Sequence, residues 1–84
     1  MWQELETLIA VVEEQQFTRA ASRLGVSQPE VSRRIRRLER RLGVVLLIRS
    51  TRHVVVTEQG RDVAEWARGL FESWELARRR IEEC

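Results

Sequence analysis

Ala20-Ala21-Ser22-Arg23-Leu24-Gly25-Val26-Ser27-Gln28-Pro29-Glu30-Val31 contains a helix end, a turn and a helix start in immediate succession. Glycine enters the left-handed region at little steric cost, so Gly25 is predicted to stop the helix before it. Ser27-Gln28-Pro29-Glu30 has the form of a capping box with proline in the first turn, a start signal for the next helix. Upstream, Thr18 is predicted as the N-cap of a short helix over Arg19–Leu24. Downstream, Val31, Ile35, Leu38 and Leu42 fall within an arc of about 60° on a helix that Gly43 ends. Pro29, Ser32, Arg33, Arg36 and Arg40 take the other side. Ala20 and Ala21 are small where the two helices must approach, and Val26, Val31 and Ile35 supply a shared core. These are the lengths and the turn chemistry of a helix-turn-helix. Its second helix then presents Gln28, Ser32, Arg33 and Arg36, side chains suited to base edges or phosphates in a major groove. A small three-helix bundle with a solvated charged face would show much of the same pattern.

Further out, Leu5, Leu8, Ile9 and Val12 form one stripe of an amphipathic helix from about Trp2 to Glu14. After Gly43, Val44–Ile48 and Val54–Val56 are β-branched runs bracketing Arg49-Ser50-Thr51-Arg52-His53, predicted as a two-stranded hairpin with a basic tip. Thr57 is predicted to cap a last helix. There Val63, Ala67, Leu70, Trp74, Ala77 and Ile81 alternate spacings of four and three, a heptad seam for dimerisation. The expected fold is mainly α: a winged helix-turn-helix of three helices plus a two-stranded wing, over 1–57, then a linker and dimerisation helix over 58–84.

The chain has 84 residues, 43% hydrophobic and 33% charged, enough apolar material for one small core. No apolar run approaches the roughly 18 residues of a membrane span. Met1-Trp2-Gln3-Glu4 lacks the layout of a signal peptide, and the one cysteine is Cys84, so a reducing cytoplasm is expected. A core this small leaves little room for a catalytic cleft. The sequence holds no nucleophile-and-base pair, no phosphate-cradling glycine loop and no metal cluster. His53 is the one histidine of the sequence, with no second nitrogen, thiolate or carboxylate at metal-ligand spacing, and Glu13-Glu14 and Glu82-Glu83 point about 100° apart on helices. No catalytic residue, metal or cofactor is therefore expected, and the chain is read as not an enzyme.

Charge is segregated. Residues 1–18 carry a net −4, residues 19–56 carry ten arginines against Glu30 and Glu39 for a net +8, and residues 57–84 carry −2. All fifteen basic residues are arginine, whose planar fork suits bidentate pairing with phosphate or a guanine edge. A basic middle between acidic flanks fits a polyanion partner. A protein–protein module whose basic face meets an acidic partner is the alternative.

Phe17-Thr18-Arg19-Ala20-Ala21-Ser22-Arg23-Leu24-Gly25-Val26-Ser27-Gln28-Pro29-Glu30-Val31-Ser32-Arg33 resembles the signature of the LysR-type transcriptional regulators. The likeness continues through Ile35-Arg36-Arg37-Leu38-Glu39, Leu42-Gly43-Val44, Leu46-Leu47-Ile48-Arg49 and Thr57-Glu58-Gln59-Gly60, essentially the whole chain. It implies a bacterial, cytoplasmic regulator that binds double-stranded DNA at interrupted inverted repeats. It also implies a homodimer through the last helix, and a tetramer in a full-length protein. By the same resemblance, Gln28, Pro29, Ser32 and Arg33 meet the major groove, Arg52 enters the minor groove from the wing, and Thr18, Arg36 and Arg49 touch phosphates. Val45 stands where the family commonly has proline, and Leu47-Ile48 where it pairs an aromatic with an acid. Glu30 stands where many members carry alanine or proline; its carboxylate favours the helix N-terminus and repels a nearby phosphate. The family's effector-sensing domain does not fit in this length, so the chain is expected to be the DNA-binding piece of a longer regulator, the alternative being a stand-alone regulator that has no sensor. A small-molecule effector is expected only with that domain.

On the last helix, Trp66, Phe71 and Trp74 are expected to pack rather than to bind a ligand, with Trp74 on the seam and Trp66 or Phe71 anchoring the helix to the winged domain. Arg78-Arg79-Arg80 is expected to complement the helix dipole.

Overall fold

A computed structural model describes residues 1–49 and 53–83. In chain order the elements are α1 (Trp2–Glu14), α2 (Phe17–Leu24), α3 (Gln28–Leu42), β1 (Leu47–Arg49), β2 (Val54–Val56) and α4 (Glu58–Glu83). The predicted order and the winged helix-turn-helix are both present.

Helix α1 is central, packed against α2, α3 and α4. Its buried set is therefore wider than one stripe: Leu5, Leu8, Ile9, Ala10 and Val11 are all in the core, with Val12 partly buried. The buried Thr7 hydroxyl donates to the Gln3 carbonyl at 2.8 Å. Gln15 ends α1 with φ 60°, a left-handed residue without glycine. Helix α2 starts two residues earlier than expected. Gln16, extended at φ −147°, is its N-cap, so Thr18 lies inside the helix and is not the cap. The earlier start brings the partly buried Phe17 into the helix and against the core. Gly25 closes α2 at φ 70°, and Val26 N–H bonds back to Ala21 O at 3.0 Å.

Only half of the capping box forms at α3. Ser27 Oγ accepts the Glu30 N–H at 3.2 Å, but the Glu30 carboxylate turns towards arginines instead. Val31, Ile35 and Leu38 are completely buried, whereas Leu42, beside the exit to the hairpin, is 41% exposed.

The first strand is shorter than its apolar run. It begins at Leu47 and pairs antiparallel as Leu47↔Val56, Ile48↔Val55 and Arg49↔Val54. Val44–Leu46 stays out of the ladder and is held instead by the end of α3 and the start of α4, with Val44 N–H on the Glu39 carbonyl at 3.3 Å. Glu39 Oε2 accepts the N–H of Leu46 at 2.9 Å and of Leu47 at 3.4 Å. On the other side, Thr57 N–H donates to Leu46 O at 3.0 Å, and Thr57 Oγ1 donates to Val45 O at 2.7 Å while accepting the Gly60 N–H at 3.0 Å. Thr57 thus caps α4, as predicted, and also ties it to the hairpin.

The core continues past residue 57. Gly60, Ala64 and Ala67 of α4 are buried, so the first turns of this helix belong physically to the winged domain. Its far end projects, giving extents of 49 × 26 × 18 Å.

Candidate nucleic-acid interface

The three apolar residues that α3 buries leave its opposite face open. Gln28, Pro29, Arg33 and Arg36 are exposed there and Ser32 is half-buried. Helix α2 supports the N-terminal end of this face: Gln28 Nε2 donates to Thr18 Oγ1 at 3.1 Å. The hairpin supports its middle: Arg49 Nη1 donates to Ser32 Oγ. The Arg49 guanidinium also sits 5.1 Å above the Phe17 ring, a cation–π contact joining β1 to α2. Burial, and then the neighbouring Arg36 charge, hold Arg49 below the usual arginine value against the pull of Glu39. Arg36 itself is exposed, and Arg40 Nε donates to the Arg36 carbonyl at 3.4 Å.

Arg33 is the most open of the paired arginines on this helix, its side chain 62% exposed, with Nε on Glu30 Oε1 at 3.1 Å. The other oxygen, Glu30 Oε2, accepts Arg34 Nε at 2.9 Å and Arg37 Nη2 at 3.4 Å. Arg34 and then Arg33 hold the Glu30 carboxyl below the usual value, so it stays ionised near neutrality.

Of the residues predicted to meet DNA, the structure brings Thr18, Gln28, Ser32, Arg36 and Arg49 into one connected patch, with Pro29 and Arg33 at its edge. Arg52 lies outside the described residues. Three further residues shape the site, and two of them, Arg34 and Glu39, were not expected from the sequence. Arg34, only 14% exposed, reaches from Glu30 to Thr7 Oγ1 at 3.4 Å and pins α3 to α1. Glu39 fixes the start of the hairpin. Glu30 gathers three arginines. Position on the helix offers a signal for Arg34, which falls on the flank turned to α1. Nothing in the local pattern marks Glu39 as a backbone acceptor.

Along the predicted seam of α4, Val63 is half-buried and Ala67 is wholly buried against the chain's own core. Leu70, Trp74 and Ile81 are 36%, 54% and 72% exposed, and Ala77 is exposed as well. Ala67 thus departs from its expected place on a free seam, because α1 occupies that part of the helix surface. Phe71 anchors α4 as anticipated, its ring centroid 4.3 Å from that of Trp2, with Trp74 at 6.4 Å from Trp2. Trp66, the other anchor considered, is 56% exposed. Glu13 adds a polar clamp, accepting from Arg23 of α2 at 2.7 Å and from Arg68 of α4 at 3.1 Å. Arg78 pairs with Glu75 and Glu82 on its own helix. Among the described residues no group of three or more His, Cys, Asp or Glu is placed to hold a metal ion. No helix among them is long and apolar enough to cross a membrane.

Residues 2–61 match the sequence profile described as "Bacterial regulatory helix-turn-helix protein, lysR family". The transcriptional regulator ShiR of Corynebacterium glutamicum is 48% identical over 77 residues, covering 92% of this chain and 26% of ShiR. The chain thus spans about a quarter of the length of that relative. Among solved structures, the CbnR DNA-binding domain in complex with DNA superposes with a TM-score of 0.93 at 38% identity, covering 99% of this chain and 95% of that one. The BenM DNA-binding domain bound to benA site 1 DNA gives 0.92 at 36% identity, covering 99% and 93%. With the profile spanning most of the chain and the helix-turn-helix, hairpin and long helix all in place, the protein belongs to the LysR family of bacterial regulatory helix-turn-helix proteins.

Proposed function

We propose that this chain is the DNA-binding part of a transcription regulator that acts without catalysis in the bacterial cytoplasm. Helix α3 enters the major groove of double-stranded DNA, where Gln28, Pro29, Ser32 and Arg33 meet base edges. Thr18, Arg36 and Arg49 contact phosphates, and Arg52 of the wing reaches the minor groove. The observation that carries this reading is the open polar face of α3, braced from one side by Thr18 and from the other by Arg49. Its likeness to two domains solved on DNA supports it.

The exposed stripe of Leu70, Trp74, Ala77 and Ile81 on α4 supports a homodimer. Two-fold symmetry then calls for an interrupted inverted repeat, one half for each recognition helix. Residues 1–57 form the reading head in this scheme, and 58–84 carry the linker and dimer contacts. Tetramers and a small-molecule effector belong to a longer protein that includes a sensing domain.

The test is a binding titration of the 84-residue chain against an interrupted palindrome selected from random DNA, beside a scrambled duplex. At about 150 mM salt, charge-only binding is weak, so the palindrome should be bound at least tenfold more tightly. Equal binding to both would refute the proposal.

A further inference from the structure

Glu30 is an acid in the first turn of a helix whose open face is basic. Its carboxylate does not complete the cap of α3. The cap bond uses the backbone N–H of Glu30, which any side chain at this position retains. The carboxylate instead points along the helix, Oε1 on Arg33 Nε and Oε2 on Arg34 Nε and Arg37 Nη2. The contact with Glu30 is made through Nε and not through the terminal Nη pair of Arg33, on a side chain that is 62% exposed. Such a pair matches the O6 and N7 acceptors of guanine end-on. A mobile arginine, by contrast, neutralises whichever phosphate is nearest, a contact that carries no sequence information.

Building on the DNA-binding reading above, we propose that Glu30 is a positioning residue for base selection. It docks Arg33 so that the Nη fork meets a guanine, and it withholds Arg33 and Arg37 from indiscriminate phosphate contact. General affinity is lowered and discrimination between base pairs is raised. Arg34 takes part as the fixed point of the cluster, because it is largely buried and also reaches Thr7.

The experiment compares the parent 84-residue chain with Glu30→Ala and Glu30→Gln on three duplexes. These are a site selected by the parent, the same site with the G·C pair read by Arg33 changed to A·T, and a random sequence of equal length. Arg33→Ala identifies that pair as the one where preference is lost. Affinities are measured from about 50 to 200 mM salt. Each phosphate neutralised adds about 0.9 to the salt slope. Glu30→Ala should therefore bind the random duplex about three- to tenfold more tightly at low salt, with a slope steeper by about 1. It should also lose about fivefold of the G·C preference. Glu30→Gln should share the gain on random DNA but keep most of the preference, because its amide oxygen still accepts Arg33 Nε.

Unchanged preference and slope in Glu30→Ala would overturn the inference. So would uniform weakening on all three duplexes together with a lowered melting temperature, the mark of a merely structural anchor. Preference lost at a separate C·G pair would show the carboxylate reading cytosine directly, and would also overturn it. Failure of the DNA-binding reading itself looks different: the parent would bind the selected and random duplexes equally.

Discussion

Substituting Gly60 by alanine should strongly destabilise the winged domain, although it adds a single methyl group to a helix. The Cβ would lie 2.2 Å from Leu46 O and 3.0 Å from Val56 Cγ1, against an ordinary contact of 3.4 Å or more. The obstructing atom is backbone, so no side-chain rotation relieves the clash. Moving α4 away by about 1 Å would strain the Thr57 N–H bond to Leu46 O and the Thr57 Oγ1 bonds to Val45 and Leu46, which join hairpin and helix. Overpacking costs about 1–3 kcal/mol, and weakening the bonds of these two donors, the Thr57 N–H and O–H, adds about 1–3 kcal/mol. A domain of this length has about 4–13 kcal/mol of stability in all. The substitution should remove about 2–6 kcal/mol, lowering the melting temperature by at least about 10 °C. Gly69 on the same helix is the control. It is exposed, with nothing within 4 Å of an added Cβ, so Gly69→Ala should stabilise by about 0.5–1 kcal/mol through helix propensity. Urea and thermal unfolding of both variants decide the matter. A Gly60→Ala protein within about 3 °C of the parent would refute the close-approach reasoning.

Arg33→Ala should weaken binding to a selected site about 5- to 150-fold, equivalent to 1–3 kcal/mol, and relax preference at one base pair; a titration across single-base variants of the site shows whether it does. Ile81→Glu and Trp74→Glu should yield monomers by sedimentation and lose most affinity for a full palindrome. Ile81, at 72% exposure, tests the seam without disturbing the Trp2–Phe71 contact. Acid stability should report the Glu13 clamp. Arg23, and then Arg68, hold its carboxyl below the usual 4.5, so its contribution is present above that value and is lost as pH falls through the lower folded value. The urea midpoint of the parent should therefore stay flat from neutrality to about pH 5.5 and decline below about pH 4.5. Glu13→Gln should decline less steeply, and an identical profile would remove the clamp from the account.

Local chemistry was enough to place most elements. Gly25, Gly43, Ser27 and Pro29 act on their own neighbours, through a left-handed φ or a single N–H, so the bounds of α3 and the turn before it follow from the chain alone. The face of α3 left open follows likewise from which residues on it are apolar. Thr57 as a cap belongs to the same class. The start of α2 does not, since no local signal outweighs Thr18 as a cap until the core draws Phe17 into the helix.

Other features depend on residues far apart in sequence, and tertiary packing decided them. The path of Val44–Leu46 outside the ladder is tied to α3 and α4, where Glu39 Oε2 accepts the N–H of Leu46 and the Leu46 carbonyl accepts the N–H of Thr57. Ala67 satisfies a heptad perfectly well, yet α1 covers it, because one helix surface is shared between the chain's own core and the exposed stripe. The role of Glu30 also needed three dimensions. A carboxylate one turn from three arginines has several rotamers and partners open to it, and the placement of Arg34 against α1 selects among them. Sequence thus specified contacts within a few residues, where geometry is set by backbone angles. Packing specified contacts between elements, where the choice lies among partners that compete for one side chain.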